Sequence, residues 1–267
     1  MAARIVTLTS DFGYSDAYVG VLKGVLTSVH PEIHILDANH GVPPHDVFEA
    51  AWSVAQVSAQ FPLGTIHLVA TDAGSDRGLL VHAGGQFYLA ADNGALSLIY
   101  ARHADVDCVV RHITATHYAR PQGGATFLAR DLLAPVAAWL ARGVDPEKFG
   151  DIVQDYRRFS LPQPRLEGGT LQAVVLRVDR FGNLVTNVLP SSLPPEWTQN
   201  GSTRLRIQLG STPVEGVFTS YAEGPAQGPF AVWGADGWLE ISAQRASAAR
   251  LTSAQRGAAL SLTPANG

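Results

Sequence analysis

The chain has 267 residues, 46% of them apolar, and a formal net charge of −4. That length suits one large or two modest domains, and the apolar share is that of a globular protein. The charge gives no basic footprint for nucleic acid, and no apolar run approaches the roughly 18 residues of a membrane helix. The amino terminus carries no signal pattern, so the expected location is the cytoplasm.

The elements follow in chain order. Ile5-Val6-Thr7-Leu8 reads as a buried strand that runs into Thr9-Ser10-Asp11-Phe12-Gly13. A helix is expected near Asp16–Val29, a short strand at His34-Ile35-Leu36 and a helix over Asp46–Ser58, where Asp46 suits the amino end. Thr65–Ala70 is a strongly apolar strand ending at Thr71-Asp72. Leu79–His82 and Gln86–Ala90 read as a hairpin joined by Ala83-Gly84-Gly85, and Asp92-Asn93-Gly94 as a tight turn. A helix is expected over Asp131–Ala141 with Gly143 beyond its end. This alternation argues an α/β domain over residues 1–160 with a mainly parallel sheet. The Pro- and Gly-bearing stretch 161–170 reads as a linker. Beyond it, short strands at Leu171–Val178, Leu184–Val188, Arg204–Leu209, Phe230–Val232, Trp238–Ser242 and Ala258–Leu262 read as a smaller all-β sandwich or barrel over 171–267.

Chemistry is sparse by motif. The single Cys108 excludes an internal disulfide, and no paired Cys and His set has the combined spacing of a zinc site. Neither a phosphate loop nor a dinucleotide glycine motif occurs. What remains are polar clusters at strand ends: Asp11, Asp72, Asn93 and the run Thr126-Phe127-Leu128-Ala129-Arg130-Asp131. A carboxylate at the carboxyl end of an early strand sits where open α/β sheets bind ligands, and its two oxygens match a ribose diol. Taken singly, Asp11-Phe12-Gly13 and Asp92-Asn93-Gly94 are also ordinary turn sequences, and Arg130-Asp131 an ordinary ion pair. A similar motif, Asp-x-Phe-Gly, lies at Asp179-Arg180-Phe181-Gly182-Asn183, and Tyr221 lies in a polar loop where an aromatic can stack on a purine.

With these motifs in order, the chain resembles the S-adenosylmethionine hydroxide adenosyltransferases, relatives of the fluorinase and chlorinase enzymes. The resemblance rests on Thr9–Gly13, Tyr18-Val19-Gly20 with Lys23-Gly24, Pro43-Pro44-His45-Asp46-Val47 and Phe61-Pro62-Leu63-Gly64-Thr65-Ile66. It continues through Asp92-Asn93-Gly94, Thr126-Phe127 with Arg130-Asp131, Asp179–Asn183, Thr186-Asn187 and Gly237-Trp238-Leu239-Glu240-Ile241. It implies a carboxy-terminal β-barrel and a homotrimer with sites at subunit interfaces. It implies S-adenosylmethionine as substrate and no cofactor, and charge, apolar runs and motifs lead to no expected metal, nucleic acid or membrane partner. Asp11 would hold the ribose diol and Asp179 the methionine ammonium. Asn93, Phe127, Asn183 and Tyr221 would also line the substrate, Tyr221 against adenine. Asp72 and Arg77 would be catalytic.

The chain departs from the family at the nucleophile. The family's Asp-Pro-Gly-Val-Gly-Thr-x-Arg loop is here the shorter Asp72-Ala73-Gly74-Ser75-Asp76-Arg77, and its His position holds Leu128. The halide-binding Ser of the halogenating relatives is Ala129. His45 and His117 are the histidines considered as substitutes. The expected reaction is hydrolysis to adenosine and L-methionine, slowed by the missing histidine. A non-catalytic S-adenosylmethionine or adenosine binder and transfer to another nucleophile are the alternatives.

Overall fold

The structure is a computed structural model that describes residues 5–71, 74–104, 108–121, 126–199, 202–203 and 205–265. The chain divides into two compact units, Met1–Ser160 and Leu161–Gly267. Unit 1 contains β1 (Ile5–Ser10), α1 (Tyr18–Val29), β2 (His34–Asn39), α2 (Val47–Ser58), β3 (Ile66–Ala70), β4 (Gly78–Ala83), β5 (Gln86–Ala91), α3 (Ser97–Arg102), β6 (Cys108–His112) and α4 (Ala134–Ala141). A five-residue π-helix, Ala129–Leu133, leads into α4.

The six strands form one sheet in the order β2-β1-β3-β5-β4-β6. β2, β1, β3 and β5 pair in parallel, whereas β4 runs antiparallel to both β5 and β6. The expected mainly parallel sheet is therefore corrected to a mixed one. The cause is local: the Gly84-Gly85 connection is far too short for a crossover, so β4 and β5 must form a hairpin.

Strand alternation divides the apolar side chains between two cores. Val6, Leu8, Ile66, Leu68 and Leu89 join Leu22 and Leu26 of α1 and Val136 and Leu140 of α4 on one face. Val69, Val81 and Tyr88 meet Ala50 and Val54 of α2 and Ile99 of α3 on the other. Asp46 caps α2 by accepting the Glu49 N–H, as its position in the sequence suggests. No helix among the described residues is long and apolar enough to cross a membrane.

Unit 2 comprises β7 (Arg165–Glu167), β8 (Thr170–Val178), β9 (Leu184–Thr186), a small hairpin of β10 (Thr198–Gln199) and β11 (Ser202–Thr203), β12 (Leu205–Leu209), β13 (Thr212–Phe218), β14 (Phe230–Trp233), β15 (Leu239–Ser242), α5 (Ala248–Thr252) and β16 (Ala259–Pro264). The order β16-β12-β13-β14-β15-β9-β8, with β8 paired back to β16, closes a seven-stranded barrel. β7 adds to the outer side of β8, so residues 165–167 of the expected linker are strand. Inward side chains such as Leu171, Val175, Leu184, Ile207, Leu239, Ile241 and Leu262 fill the barrel.

Candidate active site

In unit 1 the sheet order places β1 between β2 and β3, so the chain leaves β1 in one direction and returns to its other side. This is the switch point at which open α/β sheets form a crevice beyond the carboxyl ends of their strands. Ser10 and Ala70, the last residues of β1 and β3, are in register there. Asp11 follows directly and is half-buried. Its Oδ2 accepts the His45 backbone N–H at 2.8 Å. His45 holds φ at +63°, a conformation disfavoured for a residue with a Cβ and concentrated at functional sites. Gly13 turns the chain away at φ +61° and donates its N–H to the His40 carbonyl at 2.9 Å.

Phe127 is brought to this turn. The Phe12 and Phe127 rings meet edge to face at 5.6 Å, Tyr18 packs 5.6 Å from Phe127, and Phe12 lies 5.3 Å from Tyr18. The Arg130 guanidinium lies 5.2 Å from the Phe127 ring centroid and forks onto Asp131 at 2.6 and 2.7 Å. Arg130 and Asp131 belong to the π-helix, an irregularity frequent at functional sites. The same segment holds the side chains where the family has its histidine and serine. Leu128 is half-buried against the unit 1 core, and Ala129 is fully buried in that core.

The other unit 1 candidates are engaged elsewhere. Asp72 lies outside the described residues. Arg77 donates to Asp155 Oδ1 at 2.9 Å, to the Asp155 carbonyl at 3.2 Å and to Asp92 Oδ2 at 3.3 Å. The hydrogen bond from Arg77 holds the Asp155 carboxyl below its ordinary pKa. Asp92 is buried and also accepts the Arg157 N–H at 2.7 Å. Asn93 donates to the Thr71 carbonyl after β3 and accepts the Ala95 N–H, so one end of its amide ties down the end of β3 and the other its own turn. His117 packs its ring 4.1 Å from Tyr118, beside a groove lined by Val21, Val25 and Trp139.

Unit 2 gathers Asp179, Asn183 and Tyr221. Asp179 Oδ1 accepts the N–H groups of Phe181 and Asn183 at 2.9 and 2.8 Å, and its Oδ2 accepts the Asn183 side-chain amide at 2.8 Å. A carboxylate has about four lone-pair positions, so one on Oδ2 is left for a further donor. Phe181 projects from this turn, 79% exposed. Tyr221 donates its hydroxyl to Glu240 Oε2 at 2.7 Å, and Gln244 holds the Tyr221 turn by donating to the carbonyls of Tyr221, Ala222 and Gly224. Burial raises the Tyr221 hydroxyl well above its ordinary pKa, aided by Glu240. Burial likewise raises Glu240, with Asp179 and Asp236 adding to it. The Tyr221–Glu240 hydrogen bond sets these two side chains together.

The exposure of Phe181 and the bond of Glu240 to Tyr221 were not read from the sequence, although both residues lie inside motifs quoted from it. Asp37 and His40 were missed as well, and their Asp-x-x-His spacing at the end of β2 was the available signal.

A family model described as the SAM hydroxide adenosyltransferase N-terminal domain matches residues 6–150, and the corresponding C-terminal domain model matches 173–261. An (R)-S-adenosyl-L-methionine hydrolase of Thermus thermophilus is 31% identical over 257 residues, 92% of this chain and 94% of that protein. One of Salinispora arenicola is 34% identical over 197 residues, 71% of this chain and 75% of that protein. A conserved protein of Thermotoga maritima has a crystal structure similar to this one, with a TM-score of 0.86 and 27% identity over 97% of this chain and 99% of that one.

Proposed function

We propose that this chain, which belongs to the SAM hydroxide adenosyltransferase family, hydrolyses S-adenosylmethionine to adenosine and L-methionine. One observation carries the reading: both units match the family, and a relative named as the hydrolase aligns with 92% of the chain. A water oxygen attacks C5′ of the ribose in line with the sulfur. The C5′–S bond breaks, its electron pair returns to sulfur as the neutral methionine thioether, and the excess proton of the attacking water is released. The sulfonium is already a good leaving group, so geometry and partial dehydration of the nucleophile supply most of the catalysis.

In this reading Asp11 accepts from the two ribose hydroxyls through Oδ1 and the position on Oδ2 that the His45 contact leaves. Phe127 lines that wall, Asn93 shapes the neighbouring turn, and Asp72 is the catalytic carboxylate. Arg77 assists only when its fork leaves Asp155. Asp179 takes the methionine ammonium on its remaining lone pair, Asn183 the nucleoside, and Tyr221, with the exposed Phe181, the adenine. The 1–160 domain thus carries the ribose side and the 171–267 barrel the methionine and adenine side, with the site completed by a neighbouring subunit of a cytoplasmic homotrimer. The lack of a general base at Leu128 lowers the rate by about 10²–10⁴-fold relative to a complete site.

Incubation of the pure protein with S-adenosylmethionine, followed by chromatography, tests this. The expected result is adenosine and methionine in equal amounts. The apolar pair Leu128 and Ala129 favours a second reading, binding without turnover. Ligand binding with no adenosine above the spontaneous background would select that reading. A screen with halides and small thiols distinguishes transfer to another nucleophile.

A further inference from the structure

Beneath the Asp11 turn runs a chain of hydrogen bonds that the reaction does not use. Lys23 Nζ donates to Asp37 Oδ2 at 2.7 Å, and Asp37 Oδ1 lies 3.1 Å from His40 Nε2. His40 Nδ1 lies 2.6 Å from Ser10 Oγ, and Ser10 Oγ accepts the Phe12 backbone N–H at 3.4 Å. Burial opposes the charge on Asp37, but the hydrogen bonds from Lys23 and His40 outweigh it and hold its pKa below the ordinary carboxylate value. Ionised Asp37 only accepts, so the proton of a neutral His40 sits on Nε2. His40 Nδ1 then accepts the Ser10 hydroxyl proton, and the Ser10 oxygen is left to accept Phe12. From Phe12 through Ser10 and His40 to Asp37 every donor points the same way, and Lys23 donates into Asp37 from the other end, an arrangement in which each link polarises the next.

This Asp-His-Ser order is also that of a hydrolytic triad, but the Ser10 side chain cannot act as a nucleophile. Ser10 is 0% exposed and His40 is buried. The chain ends on the backbone. His40 grips the turn twice, through Ser10 on one side of Asp11 and through its carbonyl, which accepts the Gly13 N–H, on the other. Tyr14 closes over it, with its ring edge to face with His40 at 5.2 Å. Asp11 is therefore the free residue of a turn fastened on both sides by His40, with its carboxylate oriented by His45.

We propose that His40 is a positioning residue that sets discrimination for the ribose diol, acting through Ser10 and Gly13 to fix the direction of the Asp11 carboxylate. This rests on the reading of Asp11 as the ribose clamp. A carboxylate that must meet two hydroxyls at once is sensitive to its direction, whereas one that meets a single hydroxyl tolerates rotation. Loss of the network should thus weaken adenosine much more than 2′-deoxyadenosine.

The experiment is calorimetric binding of adenosine and 2′-deoxyadenosine to the full chain, which does not depend on turnover. Three variants are compared with wild type: His40→Gln, Ser10→Ala and Asp37→Ala. His40→Gln is expected to lower adenosine affinity about tenfold, the scale of one hydrogen bond to a charged group, with less than a twofold change for 2′-deoxyadenosine. Ser10→Ala, a smaller truncation that keeps the fold, and Asp37→Ala, at the solvent end of the chain, give the same selectivity with a smaller loss. The Ser10→Ala/His40→Gln double variant is no worse than His40→Gln alone. Equal losses for both nucleosides in the folded variants, or no loss for either, overturn the proposal. A wild-type protein that binds the two nucleosides equally overturns the Asp11 reading itself, and this inference with it. Adenosine release from S-adenosylmethionine, measured separately, reports on the reaction alone.

Discussion

In the turn after β1, Phe12 is folded into an aromatic cluster and the Asp11 carboxylate accepts one backbone N–H. In the turn between β8 and β9, the Asp179 carboxylate accepts three N–H groups and Phe181 stands exposed. The two segments share the pattern Asp-x-Phe-Gly or its near equivalent, yet their roles are exchanged. The first leaves a carboxylate available and uses its aromatic residue as an anchor. The second leaves an aromatic exposed and commits most of its carboxylate to holding the turn.

Glycine exchange gives the largest expected contrast. A Cβ at Gly182 would lie 2.1 Å from Ser247 Oγ and 2.9 Å from its Cα, with φ at +87°. At Gly13 the nearest atom is Ser15 Oγ at 4.0 Å, with φ at +61°. Gly182→Ala is expected to destabilise the protein by about 3–5 kcal/mol and Gly13→Ala by about 1–2 kcal/mol in denaturant unfolding. Equal costs would mean that the second turn is not the tightly packed one.

That measurement belongs above pH 6.5, because unit 1 has an acid-labile core. His67 is 1% exposed, bonded to Thr7 Oγ1 at 2.7 Å, and burial lowers its pKa to about 4. The unfolded chain takes up this proton near pH 6.5 and the folded chain only near 4, so stability is full above 6.5 and falls as pH drops through that window. The loss is about 3 kcal/mol at most and should vanish in His67→Gln. A wild-type unfolding free energy that is flat between pH 6.5 and 4 would contradict it.

Exchanging the carboxylates comes next. Asp179→Ala should cost about 2–3 kcal/mol of stability, since three N–H groups lose their acceptor. Asp11→Ala should change stability by about 1 kcal/mol or less and lower adenosine affinity about 10–100-fold. The comparison breaks if Asp179→Ala unfolds at the wild-type midpoint. The smallest effect is in the aromatics: Phe181→Leu should leave stability within about 0.5 kcal/mol and weaken adenosine about threefold to tenfold, while Phe12→Leu costs about 1 kcal/mol of stability. A loss of stability for Phe181→Leu larger than for Phe12→Leu would reverse the assignment.

Features written in contiguous residues were legible beforehand. The apolar runs of β1 and β3, the Asp46 cap and the Gly84-Gly85 hairpin are local, and local rules find them. β13 was not found because Pro213 and Gly216 lie inside it, and both normally argue against a strand. It tolerates them because its register shifts beside Gly216, between Glu215 and Val217. The Arg77–Asp155 pair spans 78 residues and the Ser10–His40 pair 30, and no spacing rule connects them. The parallel pairing of β1 with β2 brings Ser10 and His40 together, a consequence of topology rather than of either motif.

The barrel seam joins Leu171–Val174 of β8 to Ala259–Leu262 of β16. These segments are far apart in sequence, so closing the ring carries the loop entropy that slows non-local pairing. On the ribosome, the sheet of unit 1 has all its strands once β6 is made, and it can fold while synthesis continues. Unit 2 must wait for β16. Until then β8 and β12 have no β16 partner, and their open edges are where a newly made chain is most exposed to pairing with another copy.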